Sequence, residues 1–323
     1  MGLLINGQWH DQWYKTEDGE FVRDDARFRH WITSDGSAGP TGEDGFAAES
    51  GRYHLFVSLA CPWAHRTLIF RSLKGLQPHI GVTVVDPKML EHGWVFSAVS
   101  KDNPVDGIDC LHQLYTRARA DYSGRVTVPV LWDKQRNTIV SNESADIIRM
   151  FNSAFNDITG NDYEFYPAEQ QAQIDAINDV VYAHINNGVY KAGFATTQAA
   201  YEKAYDQLFL VLDELENVLG QRRFLVGNKL TEADWRLFTT LIRFDAVYYS
   251  HFKCNRQRIE DYFHLSNYLR ELYQQPGIAE TVDFDHIKTH YYYSHPTINP
   301  TRIIPKGPDI DYHSAHNRGY HYE

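Results

Sequence analysis

The sequence predicts a two-domain chain, an α/β domain followed by an all-α domain. Between residues 53 and 152, short apolar segments of strand length alternate with segments whose apolar residues recur at helical spacing. From about residue 165 onward the helical spacing continues without a convincing strand pattern. The length of 323 residues is sufficient for two domains that each bury a core.

Composition indicates where the domains begin and end. The first 50 residues include the Gly- and Asp-rich segment TSDGSAGPTGEDGF, which is typical of a loop. After residue 285 the sequence becomes rich in Pro, His, Tyr and Asn. We therefore expect an N-terminal arm over 1–50, the α/β domain over 51–155, and the helical domain over 165–323, which ends in an irregular extension.

The α/β domain has a distinctive order of elements. The segment 53–60 predicts a strand, AHRTLIFRSLKGL predicts a helix, and 80–87 predicts a second, buried strand. After a long insertion, 125–133 and 138–142 predict two strands joined by the polar turn KQRN. A helix begins at 143. This order is typical of a thioredoxin-like domain.

The helical domain is predicted from three segments with apolar residues at helical spacing: AEQQAQIDAINDVVYAHIN, AAYEKAYDQLFLVLDELENVL and TEADWRLFTTLIRFDAVYYSHF. The third begins with Thr231 and Asp234 in a capping-box arrangement, in which each side chain can bond the other's backbone N–H. We expect this pair to have a structural role.

Charge and leader patterns argue against several classes of function. Acidic residues outnumber basic ones by 42 to 31, and the net charge of -11 repels a polyanion such as nucleic acid. The first residues lack a basic start followed by an apolar stretch, and no apolar run approaches the ~20 residues that span a bilayer. The three cysteines form no CxxC pair and suggest no disulfide framework. We expect a cytoplasmic protein that binds neither nucleic acid nor membrane.

Cys61 is the strongest candidate for chemistry. It lies where the first strand turns into a helix, and Pro62 suits the first helical turn because its missing N–H is not needed there. The N–H groups and the positive end of the helix dipole favour the thiolate and lower its pKa below ~8.5. The alternative is an inert thiol, which is our interpretation of Cys110 and Cys254. Ala64 stands where a dithiol motif has its second cysteine, so an outside thiol such as glutathione must resolve any disulfide formed here.

Pro129 interrupts the strand pattern VTVPVLWD, which a central strand does not tolerate. If the peptide bond before it is cis, the backbone of Val128 turns outward and can pair with an extended peptide ligand. The alternative is a proline on an edge strand, and the residues alone leave both interpretations open.

Polar residues mark the junction between the last strand and its helix. Glu143 and Ser144 are expected to cap the helix, and the same helix N-terminus can bind a carboxylate through N–H groups and the Ser144 hydroxyl. Glu143 can then pair with an ammonium group, and the γ-glutamyl end of glutathione presents both groups. Trp94, in the loop LEHGWVF, covers either the core or a ligand beside Cys61.

Four segments are similar to the glutathionyl-hydroquinone reductases, the Xi class of glutathione transferases: SLACPWAHRTLIFRSLKGL, EHGWVFS, GRVTVPVLWDKQRNTIVSNESADIIRMFN and HYYYSHPTINPT. The resemblance runs from the arm to about residue 305 and does not include the extreme C-terminus. It implies a thioredoxin-like domain, a helical glutathione-transferase domain and a homodimer. It also implies glutathione as co-substrate, an aromatic glutathionyl-hydroquinone as substrate, and no metal.

The resemblance also implies roles for individual residues. The family's catalytic Cys-Pro-Trp motif matches Cys61, Pro62 and Trp63. The family's glutathione site matches, in this chain, Trp94, Arg125, the backbone of Val128, Glu143 and Ser144. The family's tyrosines near the hydroquinone match, in this chain, Tyr190 and either Tyr291 or Tyr292, of which we favour Tyr292. From the residues alone, the tyrosines are equally compatible with an aromatic wall, and the arginine with a surface charge.

The activity that the resemblance implies is a two-step thiol exchange. The Cys61 thiolate attacks the sulfur of a glutathionyl-hydroquinone, hydroquinone leaves, and a second glutathione releases oxidised glutathione from the enzyme. Tyrosines at the ring can hydrogen-bond its oxygens and favour the keto form, from which the bond between carbon and sulfur breaks more easily. Two alternatives stay open. One is an omega-type thioltransferase or dehydroascorbate reductase that uses the same cysteine, and the other is a non-catalytic binding protein with a transferase fold.

Overall fold

The computed structural model describes residues 2–98 and 100–321, so positions 322 and 323 of the predicted C-terminal extension lie outside the described residues. The strands are β1 (Leu3–Ile5), β2 (Gln8–His10), β3 (Thr16–Glu17), β4 (Glu20–Phe21), β5 (Trp31–Thr33), β6 (Gly45–Ala47), β7 (Tyr53–Val57), β8 (Gly81–Val84), β9 (Gly124–Arg125), β10 (Val130–Asp133) and β11 (Thr138–Ser141). The α-helices are α1 (Pro62–Leu73), α2 (Leu111–Ala118), α3 (Ser144–Ser153), α4 (Asn156–Thr159), α5 (Gln171–Val180), α6 (Gly188–Gly193), α7 (Gln198–Leu219), α8 (Glu232–Arg243), α9 (Phe263–Tyr273), α10 (Phe284–Ser294) and α11 (Arg318–His321). Two π-helical turns, Val181–Asn186 and Phe244–Tyr248, directly follow α5 and α8.

Contacts divide the chain into two compact units. The first unit comprises Met1–Tyr14 and Arg23–Glu164, and the second comprises Lys15–Val22 and Phe165–Glu323. The predicted combination of an α/β fold and a helical fold is confirmed. The predicted domain boundaries stay predictions. The assignment of Lys15–Val22 to the second unit is a feature that no local pattern in the sequence indicates.

The first unit is built on a four-stranded sheet in the order β11-β10-β7-β8. β7 is parallel to β8 and antiparallel to β10, which is in turn antiparallel to β11. All five residues of β7 are buried, as expected for a strand that is paired on both sides. α1 connects the parallel pair β7 and β8 and contacts α3. This is the predicted thioredoxin-like order.

The peptide bond between Val128 and Pro129 is cis. Pro129 directly precedes β10, and β10 is paired with a strand on each side. The interpretation as an edge-strand proline is therefore wrong, and the cis alternative is confirmed.

The first residues of the chain contribute two strands to a second, three-stranded sheet of the first unit. β1 pairs with β2 and with β9, so that Leu3 lies opposite Arg125 and Leu4 lies opposite Gly124. The segment before Lys15 is therefore held in the fold by backbone hydrogen bonds to the strand that carries Arg125.

The hairpin of β3 and β4 is part of the second unit. The backbone N–H of Thr196 donates to the carbonyl oxygen of Gly19 at 3.0 Å. The ring of Phe21 stacks on Tyr190 with 6.3 Å between ring centroids, and it lies 5.6 Å from the ring of Phe194. This hairpin therefore packs against the segment that contains a predicted site tyrosine.

In the second unit, α8 contacts α5, α9 and both π-helical turns, and all twelve of its residues are buried. The predicted capping box is confirmed, because the Asp234 carboxylate accepts from the backbone N–H of Thr231 at 2.9 Å. The hydroxyl of Tyr268 on α9 donates to the same carboxylate at 2.8 Å. Within the part of the chain that the structure describes, no helix has the length and apolar character needed to cross a membrane.

Arg318 ties the C-terminal extension to the second unit. Its Nε donates to Glu271 Oε2 at 2.7 Å, and each of the two side chains is only 1% exposed. The same guanidinium donates to the carbonyl oxygens of Leu219, at the end of α7, and of Arg222 and Arg223. The extension therefore closes the exposed carbonyl end of a long helix with a buried cation.

We expect Arg318→Ala to lower the free energy of unfolding by about 2 to 3 kcal/mol, because it removes the buried partner of the Glu271 carboxylate, which keeps its ion pair with Arg223, a side chain that is 37% exposed. Chemical denaturation followed by circular dichroism would measure the loss. Arg222→Ala is the matched control, since its side chain is exposed and it contributes a backbone carbonyl, and it should change stability by less than about 1 kcal/mol. Equal, small losses of stability in both variants would contradict the stabilising role of the Arg318 side chain.

Asp245 is a buried carboxylate in the π-helical turn after α8. It accepts hydrogen bonds from the backbone N–H groups of Ile259 at 2.7 Å and Glu260 at 3.0 Å. Burial raises the pKa of Asp245 from 3.8 to about 6, and the two N–H groups offset only part of this effect.

The native state therefore binds this proton more tightly than the unfolded state. The stabilising contribution is complete below the unfolded pKa of 3.8 and is lost as the pH rises through about 6. Asp245→Asn should remove this dependence, so the stability of the variant relative to the wild type should rise by about 2 to 3 kcal/mol between about pH 4 and pH 7. Urea denaturation of both proteins across that range measures the difference, and a constant difference would contradict the prediction.

Candidate functional site

Cys61 is the residue immediately before α1, and its thiol is partly exposed. Its backbone is extended, with φ -76 and ψ 118, and its side chain makes no capping hydrogen bond to the helix. Sγ lies 3.4 Å from the carbonyl oxygen of Val128, the residue before the cis proline. The thiol thus lies at the N-terminus of a twelve-residue helix, where N–H groups and the helix dipole favour an anion.

The other two cysteines have different surroundings. Cys254 is fully buried, and burial raises the pKa of its thiol far above the usual value. Cys110 is the residue immediately before α2, and its backbone N–H donates to the Gln113 side-chain oxygen at 2.9 Å. Burial, assisted by the negative charge of Asp109, raises the pKa of its thiol. Both therefore favour the neutral thiol, in agreement with the predicted structural roles.

The helix that follows Cys61 carries a buried cation. Arg66 is 2% exposed, and its guanidinium carbon lies 4.5 Å from the ring centre of Trp63. A second guanidinium, of Arg23, lies 5.0 Å from the same ring. Nη1 of Arg66 donates to the Ser144 hydroxyl oxygen at 3.4 Å, which connects α1 to the start of α3. Two guanidinium groups therefore lie against the ring of Trp63, two residues after the predicted nucleophile, and one of them contacts the predicted carboxylate site at Ser144.

Glu143 caps α3, as predicted. Its carboxylate accepts from the backbone N–H of Ala145 at 2.9 Å, and its own N–H donates to the Ser141 hydroxyl at 3.1 Å. Ser144 is the first residue of α3 and is almost completely buried. A carboxylate, a hydroxyl and the first-turn N–H groups therefore lie together at one helix end.

Arg125 is not a surface charge. Its side chain is 8% exposed. Nη1 donates to the carbonyl oxygen of Gln12, and Nη2 donates to that of Trp13 at 2.9 Å. The alternative that the sequence left open for this residue is therefore wrong, since the guanidinium is a buried part of the first unit.

Trp94 is also buried, at 4% exposure. Its carbonyl oxygen accepts from the backbone N–H of Leu111 at 2.8 Å, which anchors the loop to α2. Trp9 holds the other side of this loop, because its indole N–H donates to the carbonyl oxygen of Glu91 at 3.0 Å. Gly93 has φ +68, and a Cβ there would lie 2.7 Å from the Trp9 ring, so both the backbone angle and the close approach require glycine.

Three tyrosine hydroxyls in the second unit form a connected cluster. The hydroxyls of Tyr190 and Tyr291 share a hydrogen bond of 2.6 Å, and those of Tyr248 and Tyr291 share one of 3.0 Å. The ring of Phe252 lies 5.5 Å from that of Tyr190 and 5.7 Å from that of Tyr291. Tyr292 lies outside this cluster, with its hydroxyl bonded to Ser250 and to the carbonyl oxygen of Ala246 at 3.2 Å. The structure therefore favours Tyr291 over Tyr292 as the partner of Tyr190.

The Tyr291 hydroxyl, which joins the other two hydroxyls of this cluster, is held as a neutral phenol. Burial raises the pKa of Tyr291 well above its usual value, and Tyr190 and Tyr248 raise it further. Arg243 on α8 acts in the opposite direction. A linked set of phenols can donate hydrogen bonds to a ligand oxygen and can redistribute the donor among its hydroxyls.

Arg66 and Tyr248 belong to these groups and were not predicted from the sequence. Arg66 could have been suspected, since a charged residue in the apolar pattern of a buried helix needs a partner or a ligand. Tyr248 could not have been suspected from the sequence, because the π-helical turn Phe244–Tyr248 changes the angular spacing on which helical patterns depend.

The described residues contain no group of three or more His, Cys, Asp or Glu side chains suited to a metal ion.

A partly exposed cysteine at the start of the first helix of a thioredoxin-like unit, followed in the chain by a helical unit, defines a glutathione transferase of the cysteine type.

Comparisons with known proteins agree with this class. The family model for the glutathione S-transferase N-terminal domain matches residues 60–154, and the family model for the C-terminal domain matches residues 198–271. The glutathionyl-hydroquinone reductase YqjG of Escherichia coli (strain K12) is 57% identical over 323 residues, which cover 98% of each chain. The structure of YqjG with glutathione bound has a TM-score of 0.92 to this chain at 54% identity, covering 99% of this chain and 100% of that one.

Two further relatives extend the comparison. The glutathionyl-hydroquinone reductase PcpF of Sphingobium chlorophenolicum is 50% identical over 312 residues, covering 95% of this chain and 96% of PcpF. The Xi-class glutathione transferase of Natrialba magadii has a TM-score of 0.90 at 46% identity, covering 100% of this chain and 98% of that one. The chain belongs to the glutathionyl-hydroquinone reductases, the Xi class of the glutathione transferases.

Proposed function

We propose that this enzyme reduces glutathionyl-hydroquinones to hydroquinones with glutathione, through a mixed disulfide between Cys61 and glutathione. The observation that carries the proposal is the partly exposed thiol at the N-terminus of α1, with Ala64 in place of a second, resolving cysteine. Such a thiol can form a mixed disulfide, and an external thiol must then release it.

The reaction takes place in two exchanges. In the first, the Cys61 thiolate attacks the glutathionyl sulfur, a sulfur–sulfur bond forms, and the bond from sulfur to the ring carbon breaks. The electron pair of that bond stays on the ring carbon, which takes up a proton to give hydroquinone. In the second, a glutathione thiolate attacks the glutathionyl sulfur of the mixed disulfide, releasing oxidised glutathione and the Cys61 thiolate. Two glutathione sulfurs are oxidised and one ring carbon is reduced, so the electrons balance.

The first exchange is the demanding one, because a carbon atom is a poor leaving group from sulfur. We assign Tyr190 and Tyr291 to the ring oxygens of the substrate, and the fully buried Tyr248 to orienting the Tyr291 hydroxyl. The mutual hydrogen bonds of the three hydroxyls and the neutral state of Tyr291 support this assignment. A phenol that donates to a ring oxygen stabilises the charge that develops there and favours the keto tautomer.

We assign the glutathione moiety to the first unit. The Val128 N–H has no hydrogen-bond partner in the described part of the chain, so the backbone before the cis proline can pair with the cysteinyl residue of glutathione. The start of α3, with Glu143 and Ser144, suits the ammonium and carboxylate of the γ-glutamyl group. Trp94 and Arg125 are assigned to the same peptide, Arg125 to a carboxylate. We further propose that the protein is cytoplasmic and forms a homodimer.

The test is turnover of glutathionyl-menadiol with added glutathione, followed by chromatographic detection of menadiol and of oxidised glutathione in equal amounts. Both products are expected from the intact protein. A protein that reduces a small mixed disulfide but leaves glutathionyl-menadiol unchanged would be a thioltransferase. Absence of both reactions would favour a binding protein.

A further inference from the structure

Arg125 is held mainly by residues of the N-terminal segment. Two of its nitrogens donate to the carbonyl oxygens of Gln12 and Trp13, and its guanidinium carbon lies 4.3 Å from the ring centre of Tyr14. Its Nε donates to Asp24 at 3.3 Å, and the Asp24 side chain is 65% exposed. The arginine therefore depends for its orientation on three consecutive residues more than a hundred positions earlier in the chain.

These contacts orient the guanidinium without cancelling its charge. Carbonyl oxygens and an aromatic face are neutral partners. The ion pair with Asp24 is screened because that carboxylate is largely in water. An arginine has five N–H bonds, and three of them have acceptors within the residues that the structure describes. A cation that is more than nine-tenths buried thus keeps two donors for a further partner.

Tyr14 belongs to the surroundings of the predicted nucleophile. Its side chain is 9% exposed, and burial raises the pKa of its phenol. Arg23 and Arg125 are near enough to lower that pKa, and Asp24 and Cys61 are near enough to raise it. Arg125, which lies under this ring, is three residues before Val128, and the Val128 carbonyl oxygen is 3.4 Å from Cys61 Sγ, so the arginine and the thiol belong to the same part of the first unit.

We propose that Tyr14 is a positioning residue for glutathione, whose ring and adjoining backbone carbonyls hold the Arg125 guanidinium so that two N–H bonds point to a carboxylate of the peptide. A carboxylate that accepts both bonds makes a bidentate pair, which requires the plane of the guanidinium to be fixed. The ring of Tyr14 fixes that plane from one face. This inference rests on glutathione as the co-substrate in the proposed function.

The test compares Tyr14→Leu with Tyr14→Phe by calorimetric titration with S-methylglutathione, which cannot form a disulfide. Tyr14→Leu removes the aromatic face and should raise the dissociation constant by about tenfold. Tyr14→Phe keeps the face and should stay within about twofold of the wild type. In turnover, the leucine variant should raise the KM for glutathione by a similar factor and leave kcat within about twofold.

A double-mutant cycle with Arg125→Lys separates positioning from packing. If Tyr14 acts through the guanidinium, Tyr14→Leu should add almost nothing in the Arg125→Lys background. Additive losses would overturn the proposal, and so would a loss in Tyr14→Phe as large as that in Tyr14→Leu, which would point to the hydroxyl. Melting curves identify a variant that fails to fold, and the phenylalanine variant then still tests the hydroxyl. Because the titration does not involve hydroquinone, a wild type that binds the peptide without turnover would refute the proposed function and leave this test intact.

Discussion

Replacing Cys61 with alanine is expected to lower glutathionyl-hydroquinone turnover by at least about a thousandfold, because no other thiol in the chain is placed to form the mixed disulfide. Cys254 is buried, and Cys110 is the residue immediately before a different helix. The loss should appear in kcat, while S-methylglutathione should bind as in the wild type, since the cysteine side chain contributes chemistry more than affinity. Chromatographic assay of hydroquinone release at saturating glutathione would measure it.

Cys110→Ala is the matched control for this experiment. It removes a thiol from the same unit and should keep activity within about threefold of the wild type. Mass spectrometry of the intact wild-type protein, trapped during turnover, should show one bound glutathione at Cys61. If the alanine variant at Cys61 still turned over, or if the adduct were found at Cys110, the assignment of the nucleophile would be refuted.

Tyr291→Phe is expected to lower kcat by about a hundredfold, because it removes the hydroxyl through which Tyr190 and Tyr248 are connected. The hydroxyls that remain would lose their shared partner, so the donor that stabilises charge on the ring oxygens would no longer be oriented. The reduction of a small mixed disulfide needs no such donor and should be unchanged. Comparing the two reactions in one variant therefore isolates the step in which the bond to carbon breaks.

Tyr292→Phe is a control that the chain itself offers. The two tyrosines are adjacent, but the hydroxyl of Tyr292 bonds to Ser250 and to the backbone of Ala246. Its removal should cost about 1 kcal/mol of stability and should leave kcat within about threefold. A larger loss of kcat in Tyr292→Phe than in Tyr291→Phe would reverse the assignment that the geometry supports.

The central elements of the first unit could be predicted because each follows from local pattern, whereas β1, β2, β5 and β6, in the segment expected to be an arm, were not predicted. The strand at β7, the turn at Cys61 and the helix α1 are specified by neighbouring residues, and so is the capping pair of Thr231 and Asp234 on α8. In each case the physical cause, apolar periodicity or the needs of a helix end, acts within a few residues.

The surroundings of Arg125 and the choice between Tyr291 and Tyr292 could not be predicted from pattern. The partners of Arg125 lie at residues 12–14, and only the pairing of β1 with β9 brings them together. The choice between the tyrosines depends on the rotation of α10 and on a π-helical turn that breaks the ordinary helical spacing. Both depend on contacts between residues that are distant in the chain, which local patterns do not encode.

The division of the chain has a consequence for how such proteins can be recombined. The backbone passes between the two units three times, after Tyr14, after Val22 and after Glu164. When two related proteins are recombined at a single point in the chain, the helical unit is therefore not exchanged intact. Its helices would come from one protein and its hairpin of β3 and β4 from the other. Phe21 on that hairpin packs against Tyr190, so such a chimera would mismatch the surroundings of the tyrosine cluster itself. Recombination experiments that seek new aromatic substrates should therefore exchange both segments of the second unit, Lys15–Val22 and Phe165–Glu323, together.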